Sequence, residues 1–250
     1  GRMSGILLGG VMIQALGYRN AFLVLLGIVT VGWFLVHFLP PLEKKTTSMV
    51  ASFHHLPELI KERPLQLATV ICFFSALLLA LTESFFPIWF KDLGFTESMI
   101  GVLVTFRGVG GIISSLLFGR LSQLLTKERL FQMCTVLAGL VLMPIPFIGA
   151  AVPLIIGIAI LVGAATSIGS VLYISMVAEH SSIQNRGIAM ALAGTAWSLA
   201  YAIGPVPFSQ LADLHGVANA FLAVGLLFLI TGSFAKFFFH KILSAHPKMR

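Results

Sequence analysis

Long runs of apolar residues divide this sequence into segments that are each about as long as a membrane-spanning helix. Seven such runs occur, at 21–39, 67–90, 99–121, 130–149, 153–177, 187–211 and 218–238. A helix of about 20 apolar residues crosses the hydrocarbon core of a bilayer, where every backbone hydrogen bond must be satisfied internally. We therefore predict an all-α polytopic membrane protein with seven complete transmembrane helices.

The composition indicates that lipid, rather than water, is the main solvent of the chain. Hydrophobic residues make up 58% of the sequence and charged residues 10%, against about 45–50% and 25% in soluble domains. Residues 1–16 form a further apolar segment of ~24 Å as a helix, which is shorter than a bilayer core. We expect this segment to be a truncated eighth helix, with the chain beginning inside it.

Basic residues are concentrated in alternate connections between the runs. One side holds Lys44, Lys45, Lys61, Arg63, Arg120, Lys127, Arg129, Arg186, Lys236, Lys241, Lys248 and Arg250, and the other holds Arg19 and Lys91. Cytoplasmic loops carry an excess of lysine and arginine. The net charge of +7 is therefore a topology signal that does not indicate nucleic-acid binding, and we expect a cell-membrane protein with a cytoplasmic C-terminus.

The segment 40–64 between the first two runs has a helical hydrophobic pattern beside charged residues and predicts a cytoplasmic linker with an amphipathic helix on the membrane surface. His54 and His55 could indicate a metal, but adjacent histidines face different sides of a helix and a third ligand is missing. Cys72 and Cys134 lie in apolar runs without a partner motif, which predicts small core residues. We expect no metal and no cofactor.

One helix pair occurs twice in the sequence. At a constant spacing of 199 positions, Gly5, Gly17, Asn20, Ala21, Phe22 and Leu23 recur as Gly204, Gly216, Asn219, Ala220, Phe221 and Leu222. Each copy connects two apolar segments. A parallel repeat of this kind is typical of a transporter built from two similar halves.

Several local motifs resemble those of the major facilitator superfamily. The pattern Gly1, Gly5, Gly9, Gly10 is similar to the helix 5 motif of its drug/proton antiporters, with Ile6 where proline is usual. The run 119–129, with Gly119, Arg120, Gln123 and Lys127, resembles the family's cytoplasmic loop motif between helices 8 and 9, with Gln123 in place of aspartate and Thr126 in place of glycine. Arg186 before helix 11 and the pair Gly204-Pro205 within it are also similar to the family.

This resemblance implies twelve helices in two parallel repeats, of which the chain contains part. Residues 1–39 would be the end of the first repeat (part of helix 5, and helix 6), 65–239 the second repeat and 240–250 a cytoplasmic tail. The missing N-terminal helices would be a partner, and we expect residues 1–250 alone to insert without transporting. The glycines would act chiefly in helix packing, since small residues let helix backbones approach.

Polar residues form stripes on some of the predicted helices, whereas 21–39, 130–149 and 218–235 are nearly uniformly apolar and should face lipid. The resemblance implies the same division, with helices 7, 8, 10 and 11 around the cavity. The candidate cavity-lining residues are Ser114, Thr166, Ser170, Tyr173, Trp197, Ser198 and Tyr201.

Glu83 and Arg107 lie well inside two consecutive runs, at ~10 Å and ~12 Å from their outer ends by helical rise. A charge at this depth needs a partner or water. Glu83 is either a proton carrier, a fixed partner of Arg107, or a residue solvated at the outer mouth. Arg107 either binds an anionic substrate or belongs to the same structural pair.

Enzyme motifs such as GxxxxGK[ST] and HExxH are absent from the sequence, and we do not expect an enzyme. The resemblance implies secondary active transport of a small solute by alternating access. Proton-coupled efflux is the leading interpretation because of the helix 5 motif. The alternatives are a metabolite uptake transporter and a transport-incompetent sensor or assembly protein of the same fold.

Overall fold

The computed structural model describes residues 2–38, 60–183 and 185–243, with the backbone alone for 2–8, 10, 236, 238 and 240–243. The described helices are α1 Arg2–Val36, α2 Arg63–Asp92, α3 Glu97–Leu124, α4 Lys127–Leu142, α5 Ile145–Ile148, α6 Val152–His180, α7 Arg186–Ile203, α8 Pro205–His215 and α9 Val217–Leu243. These ranges contain no strand. The amphipathic helix and the tail predicted from the sequence fall largely on residues outside the described ranges.

Within the described ranges, seven helical segments are long and apolar enough to cross a membrane. Each overlaps one of the seven predicted runs, although the first span, Val11–Val36, begins ten residues before the predicted run 21–39. The polytopic all-α prediction is confirmed. Two of the spans are made of two helices each, because α4 and α5 form one and α7 and α8 form another. The truncated eighth helix stays a prediction.

Both of these interrupted spans break at a pair of prolines. The first break lies beside Pro144 and Pro146, and the second follows Gly204 at Pro205 and Pro207. Proline lacks a backbone donor and its ring displaces the preceding carbonyl, so a helix bends or ends there. Both spans are therefore interrupted at these positions.

The two copies of the repeat share their local geometry. Gly17 interrupts the helical backbone of α1, and Gly216 separates α8 from α9. Both have positive φ, at 74° and 85°, a conformation that glycine adopts without strain. Three residues after each glycine an asparagine side chain donates to a carbonyl four residues earlier, Asn20 to Leu16 at 3.0 Å and Asn219 to His215 at 2.8 Å. The equivalence read from the sequence is therefore structural as well.

The surroundings of the two copies differ. Phe221 is fully buried, whereas its equivalent Phe22 is 67% exposed. Beyond Ala21 the large apolar side chains of α1 are mostly exposed, and they include Trp33 and Phe34. In a bilayer this surface would contact lipid or another helix.

Helix α6 is central to the described bundle, because it packs against α2, α3 and α4. Helix α7 packs on α2, and α9 packs on α4. The α4–α9 contact is close at Gly139, where an added Cβ would lie 2.7 Å from the carbonyl oxygen of Gly225. The faces of α2, α3, α6 and α7 that meet near the middle of the bundle carry the polar side chains described next.

Candidate functional site

A hydrogen-bonded network around Glu83 joins three helices. The Glu83 carboxylate on α2 forms an ion pair with Arg107 on α3, with 2.7 Å between Oε1 and Nη2. Its other oxygen accepts a hydrogen bond from the hydroxyl of Tyr201 on α7 at 2.7 Å. Both carboxylate oxygens are therefore bound by side chains from other helices.

Thr82 supports the guanidinium of Arg107 from the same helix as Glu83. Its hydroxyl accepts a hydrogen bond from Nη1 of Arg107 at 3.1 Å and donates to the carbonyl of Leu78 at 2.8 Å. Thr82 is fully buried. Because the threonine hydroxyl donates its hydrogen to a backbone carbonyl, its oxygen is left as an acceptor for the arginine.

The two charged partners are buried to different degrees. The side chain of Arg107 is 7% exposed and that of Glu83 is 24% exposed. A buried ion pair whose members also have hydrogen bonds can offset its desolvation cost. About a quarter of the Glu83 side chain is therefore accessible, whereas Arg107 is almost fully enclosed.

Two glycines hold the backbone of α3 directly against α6. A Cβ added to Gly163 would lie 1.8 Å from the carbonyl oxygen of Arg107, and one added to Gly110 would lie 1.8 Å from that of Ile160. Ser167 on α6 donates to the carbonyl of Gly111 at 3.1 Å. The position of Arg107 in the bundle therefore depends on this glycine-to-backbone contact.

A cavity of ≈ 220 Å³ lies beside the network, between α2, α3, α6 and α7. Its lining consists of Leu79, Val104, Thr105, Arg107, Gly108, Gly111, Gly163, Thr166, Ser167, Ser170 and Trp197. Cavities that hold small molecules are mostly apolar with a few placed polar groups. This lining has that character, with a guanidinium, four hydroxyls and an indole among small and apolar residues.

Three of the predicted cavity-lining residues, Thr166, Ser170 and Trp197, line this cavity. Tyr201 stacks on Trp197 with ring centroids 6.0 Å apart and donates a hydrogen bond to Glu83, and the ring of Tyr173 also packs against Trp197, with centroids 6.3 Å apart. The other four predicted residues are not part of the lining. Tyr173 and Tyr201 contact Trp197 instead, and the remaining two are Ser114 and Ser198.

Those last two residues differ in their surroundings. Ser114 is buried and donates to the carbonyl of Gly111, whereas Ser198 is exposed in the described part of the chain.

Outside α1, the predicted motif residues lie at or near the helix ends and breaks. Lys127 forms an ion pair with Glu179, which joins the start of α4 to the end of α6, and Arg186 donates to the carbonyl of Ala178 at 2.9 Å. An exposed pair of this kind stabilises a protein by at most about 1 kcal/mol. Arg120 and Gln123 are exposed.

The predicted packing glycines have unequal contacts. A Cβ on Gly204 would lie 2.4 Å from Cδ1 of Leu77, just before Pro205 begins α8. Among the described atoms, none lies within 4 Å of a Cβ placed on Gly9 or Gly119. Gly5 and Gly10 are described only as helical backbone, and Gly1 lies outside the described residues.

Sequence reasoning missed Thr82, Thr105 and Ser167. Thr82 directly precedes the acidic residue that the sequence singled out, and a hydroxyl next to an intramembrane charge is a usable signal. Thr105 and Ser167 carry no such signal, since their place in the lining depends on how α3 and α6 cross. Cys72 and Cys134 are both buried, as predicted.

Comparison with known proteins identifies the family. Residues 68–248 match the sequence model of the Major Facilitator Superfamily, and no curated protein gives a significant match. The matched region includes Glu83, Arg107, Tyr201 and every residue that lines the cavity. It covers well over half of the 250 residues. The chain therefore belongs to the Major Facilitator Superfamily of membrane transporters.

Proposed function

We propose that this chain carries the second repeat of a proton-coupled exporter of a small solute, which works by alternating access. The observation that carries the proposal is the position of Glu83, whose carboxylate binds Arg107 and Tyr201 across three helices and whose side chain is partly exposed. Protonation would remove the negative charge that holds Arg107. Proton binding would then loosen contacts among α2, α3 and α7.

The internal repeat supports a second part of the proposal, that this chain works together with the first half of the transporter. In transporters built from parallel repeats, the solute binds near the midplane between the halves, and one half rocks against the other. Gly17 and Gly216 share one backbone conformation, so α1 matches the end of an equivalent repeat. Phe22 is exposed where Phe221 is buried, which leaves an apolar surface for further helices or lipid.

Export is the direction favoured by the resemblance of the α1 glycine pattern to drug/proton antiporters. Uptake of an anionic metabolite together with a proton is a second candidate, because the guanidinium of Arg107 lines the cavity. If the reconstituted protein moves no solute, the result would instead indicate a transport-incompetent sensor of the same fold.

The test is a flux assay of the transporter reconstituted with its first repeat in proteoliposomes that contain a pH reporter. Addition of ethidium as an amine-bearing probe should cause proton movement that Glu83→Gln lowers at least tenfold, since the amide keeps the shape and cannot carry the proton. Asp92→Asn is the matched control, because Asp92 is an exposed acid on the same helix. Equal coupling in Glu83→Gln and the wild type would contradict the proposal.

We also propose that the helix ends near Ser182 and the tail are cytoplasmic and that Lys91 is outside, because basic residues are concentrated on the first side. Both positions are exposed. In intact cells a membrane-impermeant maleimide should label Lys91→Cys, and it should label Ser182→Cys only after permeabilisation. The opposite labelling order would refute this orientation.

A further inference from the structure

The hydroxyl groups of the cavity are the feature that bears on which solute it accepts. Four of them line it, on Thr105, Thr166, Ser167 and Ser170. A serine or threonine hydroxyl has one hydrogen to donate and two lone pairs that accept. The partner that takes its hydrogen therefore decides what the hydroxyl can offer to a solute.

All four hydroxyls have an acceptor within the protein for their hydrogen. Three bonds run to a carbonyl of the same helix, from Thr105 to Gly101 at 2.7 Å, from Thr166 to Val162 at 2.7 Å and from Ser170 to Thr166 at 2.8 Å. The hydroxyl of Ser167 lies 3.1 Å from the carbonyl oxygen of Gly111 and 2.7 Å from the hydroxyl of Ser115, so its hydrogen also has an acceptor in the protein. With their hydrogens engaged, the oxygens have only lone pairs left for the cavity. The hydroxyl lining is thus a set of acceptors.

The other polar groups that line the cavity leave this acceptor character of the hydroxyls unchanged. The guanidinium of Arg107 donates to Glu83 and to Thr82, and the carboxylate balances its charge. Trp197 contributes one N–H and a ring face, and an indole face attracts cations. A solute next to α6 therefore meets several acceptor oxygens and an aromatic ring.

We infer that the transported solute turns N–H donors toward the α6 face of this cavity, with an amidinium or ammonium cation as the best match, and that this face disfavours a carboxylate. A carboxylate has no hydrogen to share, and its lone pairs would oppose those of the hydroxyls. Unpaired polar groups in a buried site are strongly disfavoured. The inference rests on the proposed transport function and specifies the solute class for the same cavity.

Four probes that share a phenyl ring separate hydrogen-bonding character from size. Benzamidinium has only donors, benzamide has donors and one acceptor, and benzoate and methyl benzoate have only acceptors. In ligand-observed NMR titrations of the transporter in nanodiscs without a gradient, benzamidinium should bind at least about tenfold more tightly than benzoate. Benzamide should bind about threefold more tightly than methyl benzoate, a pair in which both members are neutral.

Replacement of one acceptor tests the site itself. Thr166→Val keeps the branched shape and removes the oxygen, so it should reduce the preference for benzamidinium about threefold or more. Ser175→Ala is the control, because Ser175 is on the same helix, donates to Leu172 at 2.8 Å and is not part of the lining. An unchanged preference in Thr166→Val would overturn the inference.

Three further results would also overturn it: tighter binding of benzoate, equal binding of benzamide and methyl benzoate, or no binding of benzamidinium. These readouts are independent of proton coupling. A transporter that loses coupling in Glu83→Gln but prefers benzoate would keep the proposed function and exclude this solute class. A transporter that binds benzamidinium preferentially but shows no proton coupling would support this solute class and contradict the proposed function.

Discussion

Gly163→Ala should lower the stability of the transporter by about 3 kcal/mol or more and sharply reduce transport. The added Cβ would lie 1.8 Å from the carbonyl oxygen and 2.7 Å from the carbonyl carbon of Arg107. Backbone atoms of a packed helix cannot move aside as the end of a flexible side chain can, so α3 and α6 must separate. Overpacking of a well-packed interior typically costs about 1–3 kcal/mol, and a clash with backbone belongs at the upper end of that range.

The separation would also break other contacts. The reciprocal contact of Gly110 with Ile160 and the hydrogen bond from Ser167 to Gly111 depend on the same approach of the two backbones. Arg107 would shift with its helix, which displaces the guanidinium from Glu83. The change should therefore appear both as a lower unfolding temperature in detergent and as a loss of the proposed proton-coupled flux.

Gly157→Ala provides the control on the same helix. Among the described atoms none lies within 4 Å of a Cβ at this position, and alanine is about 1 kcal/mol more favourable than glycine inside a helix. This variant should be as stable as the wild type or slightly more stable. If Gly163→Ala unfolded at the same temperature as Gly157→Ala, the close contact of α3 with α6 would be excluded.

Arg107→Met should destabilise the protein by about 2–3 kcal/mol. Breaking a buried pair by removal of one partner costs about 3–5 kcal/mol, and the exposure of Glu83, 24% of its side chain, reduces that cost. The carboxylate would keep its bond from Tyr201 but lose its opposite charge. The methionine replaces much of the apolar stem of the arginine, so packing changes little.

The double variant with Glu83→Gln distinguishes a charge effect from a packing effect. If the loss in Arg107→Met comes from the uncompensated carboxylate, replacing that carboxylate by an amide should restore most of the stability. A double-mutant cycle of unfolding free energies should then give a coupling of about 1–3 kcal/mol. Additive losses in the cycle would show that the two residues do not stabilise each other.

The contact between Glu83 and Arg107 could be predicted from the sequence, whereas the hydrogen bond from Tyr201 could not. The two residues lie at similar distances from a short connection, and the fixed rise of a helix places them at similar depth. Tyr201 lies more than a hundred positions away on α7, close to the break at Gly204. Its position depends on how α7 packs on α2, which local periodicity does not specify.

The residues that line the cavity could also be predicted only in part, because helical spacing is a local pattern and the packing of the helices is not. Thr166 and Ser170 share a helix face by spacing alone, and both line the cavity. Ser114 shares a face with Arg107 in the sequence, but it is buried, on the helix that Gly110 and Gly163 hold close to α6. Helical spacing identifies a face, and the crossing of neighbouring helices decides which part of that face borders a cavity.

The ion pair of Glu83 and Arg107 has a consequence for work against the membrane potential. With the carboxylate ionised, the pair has no net charge, and its movement through the electric field requires almost no work. With Glu83 protonated under the proposed mechanism, the same site carries the single positive charge of Arg107. Moving one elementary charge through 100 mV changes the free energy by about 2.3 kcal/mol, so voltage would act on the proton-loaded form of this site and leave the unprotonated form nearly unaffected.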